Sequence, residues 1–495
     1  MSDSSILWFD FETFGSLSRP WDHRSSGPHP RRDRPAQFGG IRTSMDLEPI
    51  GDAVEIHASP PIDEPPSVDA CLVTGIAPSD TTSTGCSESE FFARVLGVLS
   101  VPGTTGAGWN SLGYDDEIVR FGAWRNLLPP YEREYANGNA RFDLLPVFRL
   151  AWSTGRHEGL EWSLDEEGRP SFSLEDLAAA NGLEEHAATA HDALADVRAT
   201  IALAARLKRN QPKLWTYALS LRDRRSVSKV VDTGRPFVLS DKGLWDRGHA
   251  TIGLTLTETD RNGRLVLDLH DDPATILDLE PRQLHARFHR IDPDGERVPI
   301  RRLRVNKLPM VADPKVIRGD DSAWAAIGID PAVLEDRVAF VHENHARIVE
   351  RVAQVADDPP PGDDVDVEEM LYGGDFVSDP DTRAMRAARR DGPHAIRKLM
   401  RDTEDERIEE LAFRFLAREH PEALSADEHA RWDVHLRERL LGPDHEHRPR
   451  AAAAIERAVA VRGSGESRDR VVDDVVAWTR SLLDAAETRR GAEGG

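Results

Sequence analysis

Near its start the chain carries a run of apolar and aromatic positions, Ile6, Leu7, Trp8, Phe9 and Phe11, interrupted by two acids, Asp10 and Glu12. The run predicts a buried β-strand. Successive side chains of a strand point to opposite faces, so Asp10 and Glu12 share one face. Two like charges side by side in a partly dry place repel, and a divalent cation between them is the usual remedy. A strand end whose acids face water is the other reading, and Asp-x-Glu alone does not choose between them.

Further along, PAQFGGIRTSM and GDAVEIHA predict neighbouring strands. SESEFFARVLGVL predicts a helix with an acidic first turn, TTGAGWN a short strand, and YDDEIVRFGAWRNLL a helix. SFSLEDLAAANGL reads as a helix with Gly182 as its C-cap. HDALADVRATIALAARLKR reads as a long Ala-rich helix with Asp192 at its N-cap. Residues 1–206 therefore predict a mixed α/β domain. From 211 to 355 the pattern changes: LTLTET and LVLDL flank DRNG, a hairpin signal, RRLRVNKLPMV reads as one further strand, and FVHENHARIVERVAQV reads as a helix. This is a β-rich middle domain. The Pro- and Asp-rich ADDPPPGDDVDVEE, residues 356–369, reads as a linker. Residues 370–490 are polar, helical in pattern and rich in Arg and Glu, which predicts an all-α domain.

Length agrees with this division, since 495 residues suggest about three domains. Two cysteines, Cys71 and Cys86, form neither a disulfide framework nor a zinc pattern and suit a reducing cytoplasm. The N-terminal stretch reads as no signal peptide and no stretch reads as a membrane span, so the expectation is a cytoplasmic chain without a membrane partner. A net charge of −24 argues against nucleic acid. That charge is unevenly spread, however. Residues 297–307 carry five basic residues and no acid, residues 383–401 carry seven against Asp391, and residues 19–34 are also basic. Local patches set phosphate affinity, although each alone also reads as a solvated face.

Three further residues change the picture. NSLGYDDE places Asp115 at the start of a helix, and HDALAD places His191 just ahead of a helix and Asp196 about one turn inside it. Five residues along a helix are ~140° of rotation, so His191 and Asp196 approach from different directions. Asp10, Glu12, Asp115 and Asp196 with His191 can converge on one site. Hard oxygen ligands without cysteine select Mg2+ or Mn2+ over zinc. Two such ions about 4 Å apart clamp the attacking and leaving oxygens of a phosphodiester, and a histidine near neutrality can take a proton from the attacking water.

These three motifs, in this order, resemble the exonuclease motifs of the DEDD superfamily in its histidine-type branch. DRPAQF (33–38), LVTGIAP (72–78), the segment 176–204, RVNKLPM (304–310), LYGGDFVSDPDTRAM (371–385) and residues 405–424 resemble the bacterial exodeoxyribonuclease I family over nearly the whole chain. The resemblance implies a ribonuclease H-like exonuclease domain, an SH3-like middle domain and a helical C-terminal domain. It implies processive release of 5′-mononucleotides from the 3′ end of single-stranded DNA with magnesium, the strand entering a groove between the domains. It makes Asp10, Glu12, Asp115 and Asp196 metal carboxylates and His191 the general base. It places Arg120, Tyr131, Tyr135, Arg149 and Phe172 at DNA-contact positions, with Tyr372 as a further stacking candidate and Lys307 as a phosphate candidate. Guanidinium groups suit phosphates and aromatic rings stack unpaired bases without sequence preference. Core packing is the competing reading for Phe172 and Tyr131.

The family tends to have a basic residue where Ser173 stands. An insertion of about ten residues lies within 16–32; its Arg19, Arg24, Arg31 and Arg32 follow the metal strand closely and are read as added phosphate contacts. The resemblance also implies docking of the acidic tail of single-strand-binding protein, with Arg156 and Tyr217 at that contact. The expectation for the chain is a monomer. An RNA 3′ exonuclease, or a non-catalytic single-strand-binding protein on the same fold, are the alternatives.

Overall fold

The computed structural model describes residues 4–19, 28–183, 192–291, 296–317, 321–355, 365–463 and 465–492. The chain divides into two compact units, neither of them continuous in sequence. The first comprises 1–140, 188–198 and 362–495; the second comprises 141–187 and 199–361.

The sheet of the first unit is built on β1 (Ser5–Gly15), the strand read from the opening apolar run. It pairs antiparallel with β2 (Arg34–Ser44), which pairs antiparallel with β3 (Val54–His57). On its other side β1 pairs parallel with β4 (Thr104–Gly108). Leu7, Phe9 and Phe11 pack with Phe38, Phe91, Phe92, Ile118 and Val119, so the helices Glu88–Leu99 and Asp115–Arg125 cover this sheet. Ser87 caps the first of these helices by accepting the Glu90 N–H. β5 (Ala140–Asp143) carries the chain out of this unit.

The C-terminal segment is all helix, as its pattern predicts: Asp379–Asp391, Pro393–Asp402, Glu406–Glu419, Ala426–Leu441, Arg450–Ala460 and Glu466–Ala492. It belongs to the first unit because it shares cores with the sheet segment. Phe121, Trp124 and Leu127 pack with Ile396, Leu411 and Phe415, and Phe14, Val68 and Cys71 pack with Val471, Val472 and Val475.

A buried ionic network ties the same two segments together. Arg34 reaches Glu88 at 2.9 Å and Glu368 at 3.1 Å, Arg439 reaches Glu368 at 2.6 Å and Glu64 at 2.7 Å, and Arg418 holds Asp63 and Glu368. Burial opposes charge on Asp63, Glu64 and Glu368, yet the surrounding guanidiniums hold all three below the ordinary carboxylate range. The acidic end of 356–369 is part of this network. Residues Val367–Tyr372 form a 3-10 helix in which Glu368 is 3% exposed, so that end is anchored and not a solvated spacer.

The second unit holds a five-stranded antiparallel sheet. β6 (Phe237–Ser240), β7 (Ala250–Glu258), β8 (Gly263–Asp268), β9 (Ile300–Arg304) and β10 (Met310–Ala312) lie in the order β10-β6-β7-β8-β9. β7 and β8 flank the DRNG turn as the hairpin signal predicts. The single strand expected over RRLRVNKLPMV is instead two. β9 ends at Arg304, Val305–Lys307 form a 3-10 turn, and Leu308 adopts a left-handed φ of 52° before Pro309, which has no N–H to donate to a ladder. Cys71 and Cys86 are both free thiols, and among the described residues no helix is long and apolar enough to cross a membrane.

Candidate active site

Three of the acids converge. Asp10, Glu12 and Asp196 each offer a carboxylate oxygen, and these oxygens lie within 4.8 Å of one another. β1 supplies the first two from one face; the helix Ala193–Asn210 supplies the third from its first turn.

The helix is brought this close by two residues of β2. Gly39 stands opposite Asp10 in the strand register, and a Cβ there would lie 2.6 Å from the Ala193 carbonyl carbon. Only glycine permits that approach of helix to strand. Gln37, opposite Glu12, clamps the helix start: its amide donates to Asp192 at 3.1 Å and accepts the Ala193 N–H at 3.2 Å. Asp192 is the predicted N-cap, accepting the Ala195 N–H at 3.0 Å. Gly39 and Gln37 were not singled out from sequence. Their signal is the polar and small pair inside the apolar PAQFGG strand.

Asp115 begins its helix as expected, but it stands outside the three-carboxylate group. Its Oδ1 accepts the Phe11 N–H at 3.1 Å, between the two strand acids. The neighbouring Asp116 is paired with Arg133, whose guanidinium lies over the Phe9 ring at 5.7 Å. His191 lies outside the described residues. The carboxylates present fit a hard divalent cation: all donors are oxygen, they come from rigid elements, and they are close enough to repel without one.

The other candidates fall into two groups. In the first unit, Arg120 is 8% exposed and saturated by acids, with Glu134 at 2.7 Å and Glu117 at 2.6 Å. It also donates to the Tyr372 hydroxyl at 3.0 Å and lies over the Tyr131 ring at 5.6 Å. Its guanidinium orders the two tyrosines more directly than it offers charge to a phosphate. Burial pushes the Tyr131 hydroxyl up to about 12, against the opposing charge of Arg120. Tyr135 is 69% exposed and Tyr372 43%. Arg31 is exposed and lies 5.5 Å from the Tyr372 ring centroid.

The rest of the insertion corrects the expectation of phosphate contacts. Arg19 and Arg32 are buried, Arg19 against Glu369, because the cores and acids of this unit absorb them; Arg24 lies outside the described residues. Three of the seven basic residues of the segment 383–401 are also paired with acids of the same unit. Arg386 pairs with Glu132, Arg390 with Asp391 at 2.7 Å and Arg397 with Glu428 at 2.7 Å.

In the second unit, Arg149 lies over the Phe172 ring at 5.7 Å, and Phe172 is half-buried beside Trp162 and His249. Ser173 caps the helix Leu174–Ala180, accepting the Asp176 N–H at 3.1 Å; Asn181 is that helix's C-cap and Gly182 follows with a φ of 72°. Lys307 sits in the 3-10 turn and not on the one strand read over RRLRVNKLPMV. Arg301 pairs with Asp268 at 2.6 Å and Arg302 lies over Phe288 at 4.7 Å. Arg156 donates to the Val316 carbonyl at 3.3 Å and Tyr217 to the Val311 carbonyl at 2.8 Å, so both are tied to the short stretch 311–316. A cavity of about 450 Å³ is lined by Arg224, Arg225, Lys229, Arg261 and Val305, next to the Lys307 turn.

Comparison with known proteins gives this geometry a context. The "Exonuclease" family model matches residues 7–204, the "Exonuclease I SH3-like domain" model residues 222–357, and the "Exonuclease I C-terminal domain" model residues 365–482. Exodeoxyribonuclease I of Haemophilus influenzae is 35% identical over 431 residues, covering 85% of this chain and 90% of that protein. The Escherichia coli enzyme is 34% identical over 446 residues, covering 88% and 90%. The chain belongs to the exodeoxyribonuclease I family.

Solved structures of the family extend the match. E. coli exonuclease I in complex with a dA16 oligonucleotide superimposes with a TM-score of 0.86 at 31% identity, covering 97% of this chain and 100% of that one. A zinc-bound E. coli ExoI–ssDNA complex and an SSB/exonuclease I structure with the inhibitor CFAM each give 0.85 at 30% identity, with the same coverage. The family fold is thus the one read from sequence: a ribonuclease H-like exonuclease segment, an SH3-like middle and a helical C-terminal segment. A divalent metal belongs to its chemistry.

Proposed function

We propose that this chain is a single-strand-specific DNA exonuclease that works from the 3′ end, releases 5′-mononucleotides and uses two Mg2+ ions, with Mn2+ as a substitute. The observation that carries this is the convergence of Asp10, Glu12 and Asp196 on a chain of the exodeoxyribonuclease I family. Those three residues, with Asp115 beside them, are the ligands we assign. A divalent ion held there supplies Lewis-acid stabilisation of the charge on a phosphodiester.

The chain's own residues do the rest. The Gln37 clamp and the Asp192 cap fix the helix that carries Asp196, so the carboxylates are positioned before substrate arrives. His191, immediately before that cap, takes the proton of the attacking water. Tyr131 and Tyr372, ordered by Arg120, with Tyr135, and Phe172 with Arg149, are the surfaces on which unpaired bases stack. Lys307, beside the basic cavity of the second unit, holds backbone phosphates of long strands. Arg156 and Tyr217 receive the acidic tail of single-strand-binding protein; that SSB is a partner is supported by the SSB/exonuclease I relative. We read the enzyme as a monomer, with the exonuclease domain over 1–206 and the SH3-like domain over 211–355.

End-labelled single-stranded DNA, duplex DNA and RNA, each with and without Mg2+, test this reading. Mg2+-dependent shortening of single-stranded DNA alone, from the 3′ end, is expected. Faster degradation of RNA than of DNA, or cleavage unaffected by chelation, would overturn it.

A further inference from the structure

His249 holds an unusual position in the second unit. Its backbone is left-handed, with φ 64°, directly after Gly248 at φ 60°. A residue with a Cβ is costly there, and glycine is the cheaper choice. Hydrogen bonds pin the conformation: the His249 N–H donates to the Leu244 carbonyl at 2.8 Å, and its carbonyl accepts the Asp241 N–H at 3.1 Å. The result aims the imidazole at Phe172, edge to face, with ring centroids 4.7 Å apart.

Two more polar side chains surround that ring. The Arg149 guanidinium is 5.7 Å from its centroid and the Trp162 indole 5.9 Å. His249 Nδ1, Arg149 Nε and Trp162 Nε1 are all buried, and none has a hydrogen-bond partner among the described residues. Buried polar atoms in folded proteins are nearly always satisfied, so three orphans around one phenyl ring mark a place for an absent partner. Burial, followed by the nearby Arg149 charge, pulls the His249 pKa down to about 4, so the imidazole is neutral. Arginine and tryptophan only donate, and a neutral imidazole carries one N–H. With its proton on Nδ1, His249 joins Arg149 and Trp162 as a third donor, and the three are matched to an acceptor oxygen.

We propose that His249, with Arg149 and Trp162, forms a donor-lined notch around Phe172 that holds a phosphate or sugar oxygen of a bound single strand. This rests on the reading of Phe172 as a base-stacking surface, and adds to it a residue that fixes the stacked nucleotide in place.

The test is binding of a labelled single-stranded oligonucleotide by fluorescence anisotropy in chelator, with thermal melts alongside. His249→Gly removes the side chain and suits the left-handed backbone, so it should melt at or above the parent temperature. It should bind about threefold to tenfold more weakly, the worth of one hydrogen bond. His249→Asn tolerates the same backbone and keeps a donor, so it should recover most of the loss. Parent-like binding by His249→Gly, with Phe172→Ala weakened, would overturn the notch and leave the stacking reading intact. Parent-like binding by both would overturn the stacking reading itself. A His249→Gly loss that tracks lost stability, with no recovery in His249→Asn, would assign His249 to packing and also overturn the proposal.

Discussion

Gly39→Ala is a small change whose effect should reach the metal site. The added Cβ would lie 2.6 Å from the Ala193 carbonyl carbon, 2.7 Å from the Leu194 nitrogen and 2.9 Å from the Ala193 oxygen. Carbon contacts relax at about 3.5–4.0 Å, so the start of the helix Ala193–Asn210 must retreat by about 1 Å. The atoms it meets are backbone and cannot swing aside. The Gln37 bonds to Asp192 and Ala193, now 3.1 and 3.2 Å, would stretch beyond hydrogen-bonding reach. Overpacking of this kind costs about 1–3 kcal/mol of stability. Asp196 rides on the first turn of that helix and moves with it. A misplacement of about 1 Å costs on the order of 10²-fold in rate. Initial rates on single-stranded DNA across a Mg2+ titration, with urea melts, measure both effects. The variant should need more Mg2+ and turn over more slowly even at saturation. Gly97→Ala, where a Cβ meets nothing within 4 Å, is the control. Parent-like Mg2+ dependence and turnover in Gly39→Ala would refute the claim that this close approach positions Asp196.

His191→Ala should slow cleavage by roughly 10²–10⁴-fold while leaving divalent-ion binding intact, as read by calorimetry; a parent rate at neutral pH would place the base elsewhere. Lys307→Ala should weaken binding to long single strands more than to very short ones and lower processivity without changing single-turnover cleavage of a bound end; equal losses on both lengths would contradict its placement. Acid should destabilise the first unit in two stages. His435, held neutral to about pH 4 chiefly by burial, takes up a proton in the unfolded chain near pH 6.5, so stability declines as pH falls below that value. Asp63, Glu64 and Glu368 have lowered folded pKa values, so their contribution is complete above their unfolded values near pH ~4 and is lost progressively as pH falls from there to their lower folded values. Glu368→Ala leaves Arg34, Arg418 and Arg439 short of a buried partner and should cost about 3–5 kcal/mol in urea unfolding at neutral pH; an unchanged midpoint would show the network is not stabilising.

The parts legible in the sequence were those written as local periodicity. The apolar run around Asp10 and Glu12, the hairpin at DRNG, the cap at Asp192 and the helices after residue 376 all follow from neighbours within a few residues. Strand alternation put Asp10 and Glu12 on one face, whereas the joining of Asp196 to them rested on the order of the three motifs and their resemblance, and Asp115, expected in the same group, stands outside it. What pairs across long separations was not legible. Arg34, Glu88 and Glu368 give no sign in one dimension that they meet, so basic runs at 19–34 and 383–401 read as free charge although the fold pairs Arg19, Arg34, Arg386, Arg390 and Arg397 with acids. Lys307 was misplaced on a strand because alternation over RRLRVNKLPMV looks continuous; the break comes from Leu308 turning left-handed before a proline. Arg120 reads as a phosphate ligand until Glu117 and Glu134 are seen to enclose it. Gly39 looks like any strand glycine until the helix is laid against it.

The central claim is that Asp10, Glu12 and Asp196 hold the divalent ion on which hydrolysis depends. Asp196→Asn tests it most directly, because the amide keeps the shape and removes the charge. Two quantities should be read on the same preparation: Mg2+ or Mn2+ binding by calorimetry, and release of mononucleotides from 3′-labelled single-stranded DNA. The account predicts weakened metal binding, loss of cleavage by several orders of magnitude, and single-strand affinity in chelator equal to the parent. Near-normal mononucleotide release in Mg2+ by the folded variant would contradict it.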